Sequence, residues 1–593
     1  MGDLLSGSIF LGFCKKVYQQ IVATAKKSLL FGRAEKAAKE SPSGAALLFG
    51  KLHPALALEH ALGNSCIFSW LYHYWGDLTA GPLYDLLFLL TPFCLGMFGI
   101  MAAAGRWAVA GALLCLLGLC VLLLTGKGSL KEFLSGSLLT CFLTRWVHFP
   151  AGTPRRSISV YLGCCGILGA AIGWKFGLIL GAVATVVLGA LPILFSVPPM
   201  GLFCLLMAAL PLAGTTVCWV LSAALAVIYL LSRAFGREQG RPLDKVDLML
   251  LIFPVFCIVS TLFSFDRMDS AKVTVMWLGL FLCVFFVRRI VTDRKRLISA
   301  LVALTVGGAV SGLYGLYQYL SGSVNTTWTD TALFEDLQLR VYSTFANPNV
   351  FGEFLLLLIP LVTALAMYFK NKKLRFLMIG VDLLLLINLA LTYSRGCYVG
   401  IAVTAVFFLW HYSKKWMVAI LALGIPLGIL LMPQSIVDRL LSIGNMSDSS
   451  TSFRMMIYIG TILMLADYWA GGVGIGEGAY NSLYPLYAIP GVPAPHSHSL
   501  FFQSVVSFGV AGLAYLAGLL GFYQKKTGAA RKAAVGPDRI LLIAFNTVMW
   551  GMMVQSIFDY TWYNYRVFQL FWIVIVLGLS ATEILTKQEE THG

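Results

Sequence analysis

The sequence predicts an all-α protein that crosses a membrane many times. Of its 593 residues, 59% are hydrophobic and only 12% are charged, and the mean hydropathy is +0.82. Soluble domains carry about 25% charged residues, and this chain has no polar stretch long enough to form one. Because each crossing needs about 20 mostly apolar residues, we expect a bundle of about 14 transmembrane helices, within a range of roughly 12 to 16.

Apolar runs long enough for a crossing follow one another along the chain. Beyond residue 245 they are 246–265, 273–287, 297–320, 349–368, 376–393, 397–413, 416–432, 499–522, 540–558 and 566–582. Upstream they are 82–104, 107–124, 158–173, 175–196 and 200–232. The run 200–232 is compatible with one long helix or with a tight hairpin, and a crossing at 132–147 is doubtful because a basic stretch follows it.

The basic residues predict the orientation of these spans. With loops 233–245, 288–296, 369–375, 414–415 and 523–539 in the cytoplasm, that side holds 20 lysines and arginines and the other side holds seven. Cytoplasmic loops of membrane proteins carry such an excess. The formal net charge of +16 therefore indicates topology, and no nucleic acid is expected as a partner.

The same assignment divides the chain into four parts. Residues 1–80 are predicted to form a cytoplasmic amphipathic segment attracted to anionic membrane lipids, with a disordered basic tail as the alternative. Residues 81–232 supply additional N-terminal transmembrane helices, and residues 233–582 form the main membrane domain. Residues 583–593 are a cytoplasmic tail. Within the main domain, the long loops 321–348 and 433–498 face outward, and short interfacial helices are expected in the second.

Three arginines stand at apolar boundaries on the outward side: Arg340, Arg395 and Arg454. Arg395 interrupts the apolar run 376–413, where an arginine costs about 2.5–3.5 kcal/mol even on a lenient insertion scale. It is either a side chain that ends a helix at the interface or a clamp for diphosphate oxygens, which a planar guanidinium matches well. Arg454 starts a predicted interfacial helix that continues to Trp469, and its alternative role is contact with lipid phosphates.

Two histidines precede the span that begins near Ser499. His496 and His498 suit proton transfer, because imidazole both accepts and donates a proton near neutral pH. The alternative is a structural role, with one ring hydrogen-bonded locally. No metal site is expected, because no carboxylate cluster lies near them in sequence.

The glycine-rich stretch from Gly471 to Gly478 superficially suggests a nucleotide-binding loop. It does not follow a strand in a βαβ unit and lies on the outward side, and we therefore reject that function. The glycines are expected to let the backbone turn sharply or approach a neighbour closely.

Together these motifs resemble the O-antigen ligase and Wzy-type O-antigen polymerase superfamily, over about residues 246–582. The motifs are Phe345-Ala346-Asn347-Pro348-Asn349, Thr392-Tyr393-Ser394-Arg395-Gly396, Ser452-Phe453-Arg454, Gly472 to Gly476, and His496-Ser497-His498-Ser499-Leu500. Their order, their spacing and their shared outward placement carry the resemblance.

The resemblance implies a GT-C-like transferase in a bacterial plasma membrane. It would move a glycan from an undecaprenyl diphosphate carrier to an acceptor hydroxyl on the extracytoplasmic face, without a metal or another cofactor. The acceptor would be a glycan, a lipid or a cell-wall polymer. Such an enzyme needs charge stabilisation at the leaving diphosphate and a base at the attacking hydroxyl.

The family's functional residues map onto particular positions here. The two arginines match Arg395 and Arg454, and the histidine matches His498, although the asparagine that usually follows it is Ser499 in this chain. The secondary candidates for the donor pocket are Arg340, Asn347, Asn349 and His496.

Two other functions stay open at this point. A transporter or flippase of a lipid-linked glycan would use ionisable residues within the spans, and Glu353 and Asp382 are the candidates. A structural membrane scaffold would need none of these side chains.

Overall fold

The computed structural model describes residues 81–124, 157–192, 197–235, 244–323, 340–424 and 449–586, with isolated residues between 74 and 80 and between 426 and 437. Within those ranges the chain forms helices and no β-strand. Most of the predicted N-terminal segment, the doubtful crossing at 132–147 and most of the tail lie outside the described residues. The division of the chain into four parts therefore stays a prediction.

The helices of the first half begin after a short 3-10 turn, Leu83–Leu86. In chain order they are α1 (Leu87–Ala103), α2 (Trp107–Leu124), α3 (Ser157–Phe176), α4 (Leu178–Ala190), α5 (Pro199–Ala209), α6 (Thr215–Ala234), α7 (Lys245–Leu262), α8 (Arg267–Ile290) and α9 (Arg294–Ser321).

The second half opens with a 3-10 turn, Ser343–Phe345. It continues with α10 (Pro348–Tyr368), α11 (Lys372–Leu391), α12 (Arg395–Tyr412), α13 (Lys414–Ala419) with a π turn at Ile420–Gly424, α14 (Ser449–Tyr468), α15 (Glu477–Asn481), a 3-10 turn at Tyr484–Leu486, α16 (Leu500–Ala533), α17 (Gly536–Phe558) and α18 (Tyr565–Ile584).

Among the described residues, 12 helices are long and apolar enough to cross a membrane, and two more apolar helices are shorter. The predicted all-α polytopic fold is confirmed. The apolar run 200–232 is two helices, α5 and α6, and not one. Pro211 and Gly214 lie in the turn between them. Proline interrupts the helix because it lacks the backbone N–H that a continuing helix needs. Only the first part of the predicted span 416–432, up to Gly424, is continuously described.

Helices α10 and α18 form the centre of the bundle, since nearly all of their side chains are buried. Aromatic rings from α7 and α8 pack against α18: Trp277 stacks on Phe568 at 5.0 Å between ring centres, and Phe253 meets Trp572 at 4.8 Å. Helix α12 runs along α17. Small residues allow this approach: a Cβ at Gly400 would lie 2.8 Å from the carbonyl oxygen of Gly551.

Charged residues at one end of the bundle are tied into ion pairs. Arg288, fully buried, lies 2.7 Å from Asp244, 3.1 Å from Asp247 and 2.8 Å from Glu583. This cluster joins the start of α7 to the last turns of α8 and α18. It belongs to the basic end that the sequence predicts to be cytoplasmic, and the motifs predicted to face outward are expected at the opposite end.

The glycine-rich stretch approaches the backbone of α16 closely. The Val473 N–H donates to the carbonyl oxygen of Val506 at 2.6 Å, and the Val510 N–H donates to that of Trp469 at 2.8 Å. Gly472 has φ of 73° and Gly509 has φ of 68°, and Gly509 kinks α16 at this contact. As predicted, these glycines let the backbone turn sharply and approach a neighbouring helix closely.

Replacing Gly474 with alanine is expected to lower the free energy of unfolding by about 1–3 kcal/mol, the usual cost of overpacking. Gly474 has φ of 125°, and a Cβ there would lie 2.1 Å from the Ser264 hydroxyl oxygen. The measurement is thermal unfolding of the purified protein. Gly471→Ala is the matched control, since a Cβ at that position meets nothing within 4 Å. Equal melting temperatures for the two variants would contradict this view of the loop.

Candidate functional site

One carboxylate brings two of the predicted residues together. Asp559 follows the last residue of α17 in an extended conformation. Its Oδ1 lies 3.4 Å from Nδ1 of His498, and its Oδ2 lies 3.6 Å from Nη2 of Arg454. The three side chains are 14%, 23% and 27% exposed, respectively. A guanidinium, an imidazole and a carboxylate thus share one half-buried position.

Helix α14 places Arg454. Tyr458 lies one turn further along the same helical face. Its hydroxyl lies within hydrogen-bond distance of two backbone carbonyl oxygens, that of His498 at 3.1 Å and that of Ile557 at 3.0 Å. Tyr458 therefore fastens α14 to both segments that form the site, and this contact holds Arg454 beside Asp559.

The backbone around His498 is held in an uncommon conformation. His498 has φ of 50°, which few residues other than glycine adopt. Its N–H donates to Nδ1 of His496 at 3.1 Å, and the Ser497 N–H donates to Oε1 of Gln503 at 2.9 Å. The Leu500 N–H donates to the carbonyl oxygen of Asp559 at 3.2 Å. Such strain persists only where its surroundings enforce it, and it is common at functional sites.

Two of the secondary candidates continue the network. Asn349 donates from Nδ2 to Oδ2 of Asp559 at 3.4 Å, and its Oδ1 accepts from Nη2 of Arg340 at 2.7 Å. Arg340 also donates from Nε to the carbonyl oxygen of Thr392 at 2.8 Å. Asn347 has a different role, because its side chain accepts from the Asn349 N–H and caps α10.

Arg395 is the first residue of α12 and is half-buried. The next residue, Gly396, packs against α17: a Cβ there would lie 2.1 Å from Oε1 of Gln555 and 3.6 Å from Cβ of Phe558. Since Phe558 directly precedes Asp559, the backbone of Arg395 lies beside the turn that carries the carboxylate.

Asp559 and His496 have shifted pKa values, which leave the carboxylate charged and the imidazole of His496 neutral. Burial alone would raise the pKa of Asp559, but the close approach of His498 and the positive charge of Arg454 outweigh it and hold that pKa well below its usual range. Burial and the neighbouring His498 lower the pKa of His496 to about 3. His496 is therefore neutral at pH 7, which agrees with its Nδ1 accepting a hydrogen bond. His498 is the histidine that faces a carboxylate.

The lowered pKa of His496 predicts a loss of stability in mild acid. In the unfolded chain this histidine titrates near pH 6.5. As the pH falls below that value, the unfolded chain binds a proton that the native state does not bind. The free energy of unfolding is therefore lower by about 2 kcal/mol at pH 5. Asp559 stays ionised in this window and adds nothing to the slope. Thermal unfolding between pH 7 and pH 5 tests this, with His496→Asn expected to flatten the dependence. An unchanged slope in that variant would contradict the burial argument.

Asp559 was not predicted from the sequence as a residue of the site, and neither were Tyr458 and Gln555. Asp559 lies 61 residues beyond His498 and belongs to none of the motifs. The available signal was a lone acidic residue at the end of an apolar run that is predicted to face outward, which is as unusual as an arginine there. Glu353, considered above as a transporter residue, is 2% exposed and accepts from Nε2 of Gln555 at 3.1 Å.

Three groups in the site are of the kind that bind metals. Donor atoms of His496, His498 and Asp559 lie within 4.8 Å of one another. The argument against a metal site considered only neighbours along the sequence, whereas folding brings one carboxylate, Asp559, to the two histidines. The absence of a metal stays a prediction. Two contacts oppose a cation at this point: Arg454 places its charge on the same carboxylate, and Nδ1 of His496 already accepts the His498 N–H.

Comparison with known proteins adds an independent observation. Residues 380–517 match the family model described as O-antigen ligase. No curated protein matches the chain. The matched segment contains Arg395, Arg454, His496 and His498, whereas Arg340, Asn349 and Asp559 lie outside it. The match supports a general role in membrane glycan transfer. It confirms the resemblance that the motifs carry: over residues 380–517 the chain is similar to the O-antigen ligases.

Proposed function

We propose that this protein transfers a glycan from an undecaprenyl-diphosphate-linked donor to an acceptor hydroxyl, at the extracytoplasmic face of a bacterial plasma membrane. The observation that carries the proposal is the position of Asp559, 3.4 Å from His498 and 3.6 Å from Arg454. The excess of basic residues at the other end of the bundle supports the outward orientation.

The arginines act on the leaving group. As the bond between the anomeric carbon and the phosphate oxygen breaks, the diphosphate gains negative charge. Guanidinium groups of Arg454 and Arg395 stabilise that charge through paired N–H donors, in a setting less screened than bulk water. Asn349 contacts Asp559 and helps to position it, and Arg340 holds both Asn349 and the turn between α11 and α12.

His498 acts on the acceptor. Because its Nδ1 faces Asp559, the carboxylate favours the tautomer with a proton on that atom and leaves Nε2 as the base. Nε2 takes the proton of the acceptor hydroxyl while the oxygen attacks the anomeric carbon. The product carries the inverted configuration, and Asp559 stabilises the imidazolium that forms. His496, neutral and already hydrogen-bonded, supports the His498 backbone and is a positioning residue.

A flippase is the alternative that an experiment must separate. The test uses proteoliposomes containing the purified protein, with the lipid-linked glycans that accumulate in a strain lacking it and with envelope extract as the source of acceptor. A transferase releases free undecaprenyl diphosphate in proportion to glycan transferred, whereas a flippase only relocates intact donor. We expect release that requires acceptor and persists in EDTA. Relocation of the donor with no release would overturn the proposal.

The chain length of the product then distinguishes ligation from polymerisation. Transfer of whole glycans to a lipid or a cell-wall polymer indicates a ligase, whereas a ladder of growing lipid-linked chains indicates a polymerase.

A further inference from the structure

A cavity of about 330 Å³ lies beside His496. Its walls come from the first turns of α8, the glycine-rich stretch and the loop before α18. The residues that give it its chemistry are Asp269, Glu477, Tyr560, Trp562, Tyr563 and His496. Among the residues that the structure describes, no lysine or arginine lines it.

Two carboxylates set the charge of the cavity. Asp269 is held in place because its Oδ2 accepts from the Gly478 N–H at 2.8 Å. Glu477 is exposed at the rim. Burial and the charge of Glu477 raise the pKa of Tyr563, and its hydroxyl therefore stays protonated and able to donate. A diphosphate would be repelled from this cavity, whereas hydroxyl and ammonium groups would find acceptors in it.

Aromatic rings form much of the remaining wall. Tyr563 lies 4.6 Å from His496 between ring centres, and Tyr560 lies 5.4 Å from the same ring. Trp562 is 3% exposed, and within the described part of the chain its indole N–H has no hydrogen-bond partner. A buried donor without a partner costs about 1–3 kcal/mol.

We infer that this cavity is the subsite for the terminal sugar of the acceptor, and that it takes a neutral or amino sugar and rejects a uronic acid. The inference rests on the proposed transfer function. An inverting displacement places the attacking hydroxyl opposite the leaving group, and the leaving diphosphate belongs on the side of Arg454. Neither Arg395 nor Arg454 lines the acidic cavity beside His496. Its rings can stack on the apolar face of a pyranose, and its volume, near the low end of the roughly 300–1,000 Å³ of small-molecule sites, suits a terminal sugar.

The binding test uses the full-length protein in lipid nanodiscs, which avoids the sugar headgroups of maltoside detergents. Saturation-transfer NMR titrations would compare methyl glucoside, methyl glucosaminide and methyl glucuronide as probes. We expect saturable binding of the first two and binding of the glucuronide weaker by about tenfold or more, since the carboxylates repel it. Tyr563→Ala is expected to weaken the binding of all three probes. Tyr317→Ala, an exposed ring on α9, is the matched control and should change nothing.

Four results would contradict the inference or the function on which it rests. Equal affinity for the glucuronide, or full binding by Tyr563→Ala, would overturn the subsite. In the proteoliposome assay, Tyr563→Ala should raise the KM for acceptor and leave that for donor unchanged, and the reverse pattern would contradict the assignment to the acceptor. Sugar binding with no release of undecaprenyl diphosphate from any donor would overturn the transfer function and the acceptor role while leaving a sugar-binding site.

Discussion

Replacing His498 with alanine is expected to lower glycan transfer by about 10²–10⁴-fold, the usual contribution of a positioned general base. Nδ1 of His498 faces Asp559, and alanine leaves neither a base for the acceptor hydroxyl nor a partner for the carboxylate. The measurement is acceptor-dependent release of undecaprenyl diphosphate in proteoliposomes. The KM for donor should change little, since the imidazole acts on the acceptor.

The control for this variant is His411→Ala. His411 lies near the far end of α12, and its contact with Arg539 goes through its backbone carbonyl oxygen. Its side chain is therefore dispensable for that contact, and the variant should transfer at the parental rate. A parental rate in His498→Ala would show that the base has been wrongly assigned.

Changing both Arg395 and Arg454 to lysine is expected to lower kcat by about 10²–10³-fold, comparable to the loss of a donor at a site of developing charge. Lysine keeps the positive charge but lacks the planar fork that grips two phosphate oxygens at once. Because the charge on the diphosphate grows as its bond breaks, kcat should fall more than the affinity for donor. Steady-state kinetics with varied donor separates the two effects.

Arg267→Lys is the matched control, since Arg267 is exposed and lies outside the site at the start of α8. Undiminished turnover in the double variant would refute a bidentate clamp. A loss of similar size in Arg267→Lys would show that the effect of replacing arginine with lysine is not specific to the proposed clamp.

Most of the fold could be predicted from the sequence because the bilayer imposes length and polarity on every crossing. The run 349–368 corresponds to α10, and 540–558 lies within α17. The lengths of other helices could not be predicted, because burial in lipid does not determine where a helix ends. Helix α16 continues past 522 to Ala533, and Gly509, which kinks it, looks like any other glycine in an apolar run.

The residues of the candidate site could also be predicted only in part. Arg454, His498, Arg340 and Asn349 were predicted as candidates because their motifs stand at outward-facing apolar boundaries and resemble those of a known superfamily. Asp559 could not be predicted, since a single carboxylate carries no spacing signal and meets its partners only through the packing of α14 and α17. The difference between Asn347, which caps α10, and Asn349, which contacts Asp559, also needed coordinates.

The central claim is that His498 and Asp559 act as one unit, and a double-mutant cycle tests it most directly. The rates of undecaprenyl diphosphate release are measured for His498→Ala, for Asp559→Asn and for the pair, with Asp382→Asn as a control carboxylate on α11. Asp559→Asn alone should lose about 5- to 150-fold, the equivalent of the 1–3 kcal/mol that one broken buried contact costs. If the two side chains work together, the pair is no slower than His498→Ala alone. Losses that multiply would mean that the two side chains act independently, and would contradict the account.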